Sequence, residues 1–132
     1  LRFRYQESYV NPANFTFGGL FRNLLRRIAL LMEFHEGTAL AVSFREMVEV
    51  GDAVGLEGAQ MVWVDWTRYS SRQQTRMQMG GMLGMFAVDV GQAPGIWPYL
   101  QLGQYTHVGK ATSMGLGRYT VHERYEEAVG AW

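Results

Sequence analysis

Leu1, Phe3 and Tyr5 alternate with Arg2 and Arg4, a period-two pattern that predicts a strand with one wet face. Asn11 and Pro12 then open a predicted helix. In it Phe17, Leu20, Phe21, Leu24, Ile28 and Leu31 recur at helical spacing, with Arg22, Asn23, Arg26 and Arg27 largely opposite and Gly37 as the stop. Burial of that apolar stripe is what would hold the helix. A shorter helix is predicted from Phe44 to about Val54, because Ser43 followed by Glu46 forms a capping-box pattern and Gly55 ends it.

From Met61 to Tyr69 the chain is rich in β-branched and aromatic residues, and Arg76 to Val90 forms a second strand-like segment interrupted by Gly80, Gly81 and Gly84. A hairpin through SSRQQ should join them. Glycines inside a strand weaken it, so these predict a bulge or a place where another backbone approaches closely. Pro94 suits a helix start, with Ile96, Trp97, Leu100 and Tyr105 as the buried face and Gly109 as the end. The last strand is expected from about Leu116 to His122. Strand, helix, small helix, strand, strand, helix, strand is the split βαβ order, which predicts an α+β, ferredoxin-like (RRM-like) domain: a four-stranded antiparallel sheet backed by two main helices.

With 132 residues and 48% hydrophobic composition, the chain reads as a single domain, 1–132, with a sizeable core. It has no cysteine, so disulfides and thiolate zinc sites are excluded. Its apolar runs are far short of the roughly 20 residues of a membrane span, and LRFRYQESY has no signal-peptide architecture, so a cytoplasmic location is expected. A chain that opens on Leu1 in strand-like sequence is expected to be one domain of a longer protein. Acidic and basic residues number 12 each, so net charge advertises no polyanion. Distribution matters more, because Lys110 is the only lysine and the arginines cluster at Arg22, Arg26 and Arg27 and again at Arg68, Arg72 and Arg76. Arginine's planar fork suits phosphate, although the first cluster also fits the solvated face of a helix.

The stretch LGQYTHVGKATSMGLGRYTVH carries the most specific chemistry. Gly109, Gly115 and Gly117 let the backbone turn tightly and approach another surface, while Lys110, Thr112, Ser113 and Arg118 supply donors for anionic oxygens. The expectation is a mobile, open bend that cradles an RNA backbone; the alternative is a plain tight connection. It is not a Walker A loop: five residues separate Gly103 from Gly109, Ala111 follows Lys110, and the order is helix then strand. His107 adjoins the loop as a catalytic candidate, or is a helix-end histidine favoured by the local dipole. No histidine pair has zinc-motif spacing, so no metal or cofactor is expected. Trp63, Trp66, Tyr69 and Tyr119 either stack bases or fill the core.

WVDWTRYSSRQQTRMQMGGMLG followed by LQLGQYTHVGKATSMGLGRYTV, with LLRRIALL and FHEG upstream, resembles the C-terminal domain of the CRISPR-associated RAMP endoribonucleases that process precursor CRISPR RNA. The resemblance implies two ferredoxin-like domains in tandem, of which this chain supplies the second. It implies an enzyme that binds the transcript's repeat and cuts without metal: the ribose 2′-hydroxyl attacks the adjacent phosphorus, leaving a 2′,3′-cyclic phosphate and a 5′-hydroxyl. In many relatives the catalytic histidine lies in the other domain, so the catalytic residues are left unassigned here, with His107 the candidate. Carried over by position, Gly109, Gly115 and Gly117 match the loop glycines, and Arg68, Ser71 and Arg72 match the hairpin before the central strand. With Lys110, Thr112, Ser113, Arg118 and Arg76 these form the expected RNA-binding set.

The implied partners are CRISPR repeat RNA and the N-terminal domain of the same protein, with effector subunits or a homodimer as further options and no membrane. Two other functions stay open. One is a noncatalytic subunit that retains guide RNA in an effector complex, and the other is a small-molecule regulatory or oligomerisation module on the same fold.

Overall fold

A computed structural model describes residues 1–5, 7–36, 43–70, 72–91, 93–110, 112 and 116–123; at 34–36, 66, 68, 70 and 75–79 only the backbone is described. The order is β1 (Arg4–Tyr5), β2 (Ser8–Tyr9), α1 (Phe17–Glu36), α2 (Phe44–Asp52), β3 (Leu56–Ser70), β4 (Thr75–Val88), a 3-10 turn (Pro94–Ile96) and α3 (Trp97–Thr106). The class is α+β, as expected. Among the described residues, pairing gives two two-stranded antiparallel sheets, β1–β2 and β3–β4, in place of one four-stranded sheet.

The long helix forms where its apolar stripe predicts, but it starts later. Asn11 Oδ1 accepts from the amides of Ala13 (2.8 Å) and Asn14 (3.2 Å), which closes a side-chain turn ahead of the helix. Thr16 is the actual N-cap: its Oγ1 accepts from Gly19 N at 3.1 Å. Phe17, Leu20, Phe21, Leu24 and Ile28 are buried as anticipated, and Leu25 joins them. α2 begins at the predicted cap, with Ser43 Oγ accepting from Glu46 N at 3.4 Å, and ends at Asp52, two residues before Val54. It packs on α1 closely enough that Gly51 has no room for a side chain, since an added Cβ would stand 2.6 Å from Phe21 Cδ1.

β3 and β4 form a long ribbon, in register from Ser70–Thr75 back to Leu56–Val88 with one irregularity between Glu57 and Gln60. Of the β4 glycines, expected to mark a bulge or a close backbone approach, Gly81 and Gly84 are close backbone approaches and Gly80 lies against the Asp65 and Trp63 side chains. A Cβ on Gly84 would collide with the Gln60 carbonyl, and one on Gly81 would stand 2.9 Å from the Leu1 carbonyl oxygen. The second approach is a real pairing: Leu1 N donates to the Met82 carbonyl (2.8 Å) and Met82 N to the Leu1 carbonyl (2.6 Å). This reciprocal exchange is that of a hydrogen-bonded antiparallel pair. Leu56, Met61, Phe86 and Val88 of the ribbon pack on the core, whereas Val62 and its cross-strand partner Leu83 are about 60% exposed and Tyr69 likewise.

The predicted last helix divides into the 3-10 turn and α3, which ends at Thr106, three residues before Gly109. Ile96 and Leu100 are buried, but Tyr105, assigned to the buried face, is 82% exposed. Nine residues make about two and a half turns, which carries Tyr105 to the side opposite Ile96. Gly103 takes the buried position instead, with Leu24 and the Tyr119 hydroxyl against its bare Cα. The expected strand from Leu116 to His122 is absent: Leu116 and Gly117 are a turn, and residues 118–122 follow without regular structure. The cause is that this segment lies on α3 and gives its polar groups to it. Val121 N donates to Gln104 Oε1 (2.8 Å) and Tyr119 Oη to the Leu100 carbonyl (2.6 Å).

Burial pushes the Tyr119 phenol well above its ordinary value of 10.0. The folded chain therefore keeps a proton that the unfolded chain loses above pH 10, so this contribution to stability is complete below pH 10 and lost as pH rises further. Tyr119→Phe is expected to cost about 1 kcal/mol at neutral pH and to make the alkaline decline of stability shallower, measured by urea unfolding at pH 7 and above pH 10.

Candidate nucleic-acid interface

The segment after α3 is held from three sides before it reaches Lys110. Val108 is buried, and its amide donates to the Gly117 carbonyl at 3.1 Å. Gly109 N donates to Asn23 Oδ1 on α1 (3.0 Å), and Lys110 N to the Arg2 carbonyl (2.7 Å). Glycine is required at two of these places. Gly109 and Gly117 have φ of 88° and 76°, and a Cβ would drive into the Arg2 carbonyl and the Val108 carbonyl respectively. The loop was expected to lie open with its amides available, and at Val108, Gly109 and Lys110 this is corrected: all three amides are engaged inside the protein. The physical reason is that the bend sits beside the N-terminal segment, whose carbonyl needs a donor.

What the bend does present is the Lys110 side chain, which is exposed. Its ammonium lies 5.4 Å from the centre of the Tyr9 ring, and the guanidinium carbons of Arg2 and Arg4 lie 4.4 Å and 5.1 Å from the same centre. Tyr9's phenol is held below its ordinary range, first by a hydrogen bond from Arg2 and then by the charges of Arg2, Lys110 and Arg4. Arg22, on α1, lies 5.5 Å from the Tyr5 ring and reaches Asp52 at 3.9 Å. Arg2, Arg4 and Tyr9 were not among the residues anticipated for the site. The only signal in the chain is the alternation of Arg2 and Arg4 on the wet face of the first strand, and nothing there marks the ring that gathers them.

On the other side of Gly109 an open groove of ≈ 950 Å³ runs along α1, lined by Asn23, Arg26, Arg27, Leu30, Leu31, Glu33 and Gly109. Arg26 is exposed in it, whereas Arg27 is half-buried, with its Nε donating to the Thr106 carbonyl (2.8 Å). The first arginine cluster is thus more than a solvated face: one member ties α1 to the end of α3.

The remaining expected residues do not join this surface as one site. Arg72 is exposed in the turn between β3 and β4, and Arg68 and Arg76 stand on the strands beside it, opposite Met77 and Tyr69. Met82, which holds Leu1, is eight residues along the chain from the turn residue Gln74, roughly 26 Å at strand rise. Thr112 is half-buried and Arg118 exposed; Ser71, Ser113 and Gly115 lie outside the described residues.

His107 caps α3, its amide donating to the Gly103 carbonyl (2.9 Å). It stands at φ 61° and ψ 177°, a region that side chains other than glycine's rarely occupy. Its Nδ1 is 3.2 Å from the Leu116 carbonyl oxygen, a contact that needs a proton on Nδ1 and ties the two ends of the bend together. Of the aromatics considered for base stacking, Trp63 is partly exposed with its Nε1 on Asp65 Oδ1 (2.9 Å), and Tyr119 is a packing residue.

Residues 1–119 match the model of a family described as CRISPR-associated endoribonuclease Cas6. No curated protein and no solved structure matches the chain. No helix among the described residues is long and apolar enough to cross a membrane.

Two outcomes test this geometry. Asn23→Ala leaves the Gly109 amide without its acceptor, at a cost of about 1–3 kcal/mol, and amide hydrogen exchange at Gly109 and Lys110 is expected to accelerate. His107→Gly gives up one contact but relieves backbone strain of about 1–3 kcal/mol. Its thermal stability is expected to be maintained or raised, and its cleavage pH profile to match wild type if the ring only positions the bend.

Proposed function

The chain belongs to the CRISPR-associated Cas6 endoribonuclease family, whose members are CRISPR RNA-processing enzymes that bind the repeat, and from that premise we propose that it is the repeat-holding half of such an enzyme. In this reading it is the second of two ferredoxin-like domains. The backbone pairing supports that topology, since Leu1 bonds to Met82 on one side and Arg2 to Lys110 on the other. The neighbour order these bonds give, from the bend at Lys110 to the N-terminal segment to β4 to β3, matches the strand order of a split βαβ sheet, with one backbone bond where its last pairing would be.

The observation that carries the proposal is the mounting of Lys110. A flexible ammonium on a backbone pinned by Arg2 and Asn23 can follow a phosphate chain without reading bases, and the pinning keeps it from being withdrawn. Arg72, exposed at the hairpin turn with Arg68 and Arg76 beside it, supplies a second contact some distance away. Ser71, Ser113, Thr112 and Arg118 complete the proposed set.

The cleavage reaction in this reading is transesterification. The 2′-oxygen of the ribose bonds to its own 3′-phosphorus, the bond to the 5′-oxygen breaks, and the proton lost by the 2′-hydroxyl is balanced by one given to the leaving 5′-oxygen. Positive groups stabilise the charge that grows on the phosphorane oxygens. In this reading acid and base come from outside this domain, and His107, whose Nδ1 is held by the Leu116 carbonyl, positions the bend.

The full-length protein with its repeat RNA tests this. Cleavage is expected to persist in chelator, to stop when the scissile nucleotide is 2′-deoxy, and to leave a cyclic phosphate. Lys110→Ala and Arg72→Ala are each expected to weaken repeat binding about tenfold without moving the cut. Abolition by chelator overturns the metal-free chemistry, a shifted cut overturns the holding role, and binding without cleavage identifies a noncatalytic guide-RNA subunit.

A further inference from the structure

The proposed RNA contacts leave Arg2 and Arg4 unassigned, although they sit closer to Tyr9 than Lys110 does. Three side-chain cations converge on one ring, 4.4, 5.1 and 5.4 Å from its centre. Among the described residues no carboxylate forms an ion pair with any of them; the ion pairs found are Arg22–Asp52 and Arg45–Glu49. Glu7, the acid in the turn between β1 and β2, offers Arg4 its backbone carbonyl at 3.1 Å. Attraction to an exposed aromatic face is weak and is opposed by mutual repulsion of the cations. Among the described residues such a cluster lacks a counter-charge.

The backbone explains how the cluster is built. Arg4 and Tyr9 are directly opposite in the β1–β2 hairpin, the Arg2 carbonyl holds the Lys110 amide, and Val10 N returns to the Phe3 carbonyl at 2.9 Å. The two arms of the N-terminal hairpin and the sequence-distant bend at Lys110 are therefore held so that their charged ends gather around Tyr9, which is 38% exposed between them. A single phosphate would satisfy one cation. Adjacent phosphates on one strand satisfy several in a row.

We propose that Arg2, Arg4 and Lys110, arrayed around Tyr9, form a phosphate-binding site on the N-terminal hairpin that grips consecutive phosphates of a single RNA strand. This rests on the repeat-holding reading and deepens it by making the hairpin, together with the glycine bend, the contact surface. Tyr9 spaces the cations and is not a reader of bases, because the charged groups occupy its surroundings. Arginine's fork at positions 2 and 4 can bridge two oxygens of one phosphate while Lys110 takes the next.

The test uses the full-length protein and its repeat RNA, with dissociation constants measured across a salt series for wild type, Arg2→Gln/Arg4→Gln and Arg2→Lys/Arg4→Lys, and thermal melting for all three. The glutamine pair is expected to weaken binding by about tenfold for each charge removed and to flatten the log–log salt slope by about 0.7 for each, the value for single strands. The cut position should not move. The lysine pair should keep the wild-type slope, because it keeps both charges. An unchanged slope in the glutamine pair overturns the site, and so does an equal loss in the lysine pair, which would mean that the arginines serve packing on Tyr9. A melting temperature lowered in the glutamine pair but not in the lysine pair would assign the charges to folding and also overturn it. If wild type fails to bind the repeat at all, the functional reading falls and takes this site with it, whereas wild-type binding with indifferent arginine variants removes the site alone.

Discussion

Backbone meeting backbone at residues 1 and 2 is the constraint on which the rest depends. Leu1 exchanges two hydrogen bonds with Met82, and the next carbonyl, of Arg2, accepts from Lys110. Neither approach leaves space for a side chain, and both are made at a glycine, Gly81 on β4 and Gly109 in the bend. These two glycines allow one short extended segment to join the ribbon on one side and the bend on the other. Without the segment, β3 and β4 would be a two-stranded ribbon, which is marginal in water by itself. With it, Phe3 enters the core at 1% exposure and packs edge-on against Phe15, which in turn faces Phe86 on β4.

The same seam decides the electrostatics. Side chains alternate across a strand, so burying Phe3 turns Arg2 and Arg4 outward. The hairpin then sets Tyr9 opposite Arg4, and the Arg2–Lys110 bond brings the sole lysine to the same surface. A chain of zero net charge thereby acquires a local positive face that its composition conceals, while Arg22 and Arg45 elsewhere reach acidic partners. Pairing of backbones, more than the count of charges, determines where a polyanion would find unpaired cations.

Much of this was legible in the chain, and the limits have identifiable causes. The stripe of α1 was plain because six apolar positions repeat at helical spacing over a long stretch, and Ser43 announced its helix because a cap is a local interaction. Close backbone approach, one of the two roles the β4 glycines suggest, holds at Gly81 and Gly84, though which backbone approaches them is a tertiary fact. Tyr105 was misplaced because it is apolar enough to belong on the buried face while the helical angle puts it opposite. The strand expected at Leu116 to His122 failed because β-propensity is a preference for a half-buried sheet surface, and here Gln104 and Leu100 take the polar groups that a neighbouring strand would have bonded. Of the site, Lys110 and the glycines were visible as a composition; Asn23, Arg2, Arg4 and Tyr9 entered only through folding, since each lies far from Lys110 in sequence.

That last difference changes what the glycine-rich bend is for. A loop whose glycines expose amides would bind an anion through the backbone itself, and its affinity would rest on those donors. Here the amides of Val108, Gly109 and Lys110 all face inward, and His107 ties the bend's two ends through the Leu116 carbonyl despite an unfavourable backbone conformation. Gly109 and Gly117 serve close packing, and that packing fixes where the Lys110 side chain leaves the backbone. In the proposed reading, a rigid mount would reduce the entropy lost when that ammonium meets a phosphate, while the long side chain would retain freedom to follow the strand. Affinity from side chains held in this way would be insensitive to base sequence, so on the proposed reading discrimination of one repeat from another falls to contacts beyond this surface.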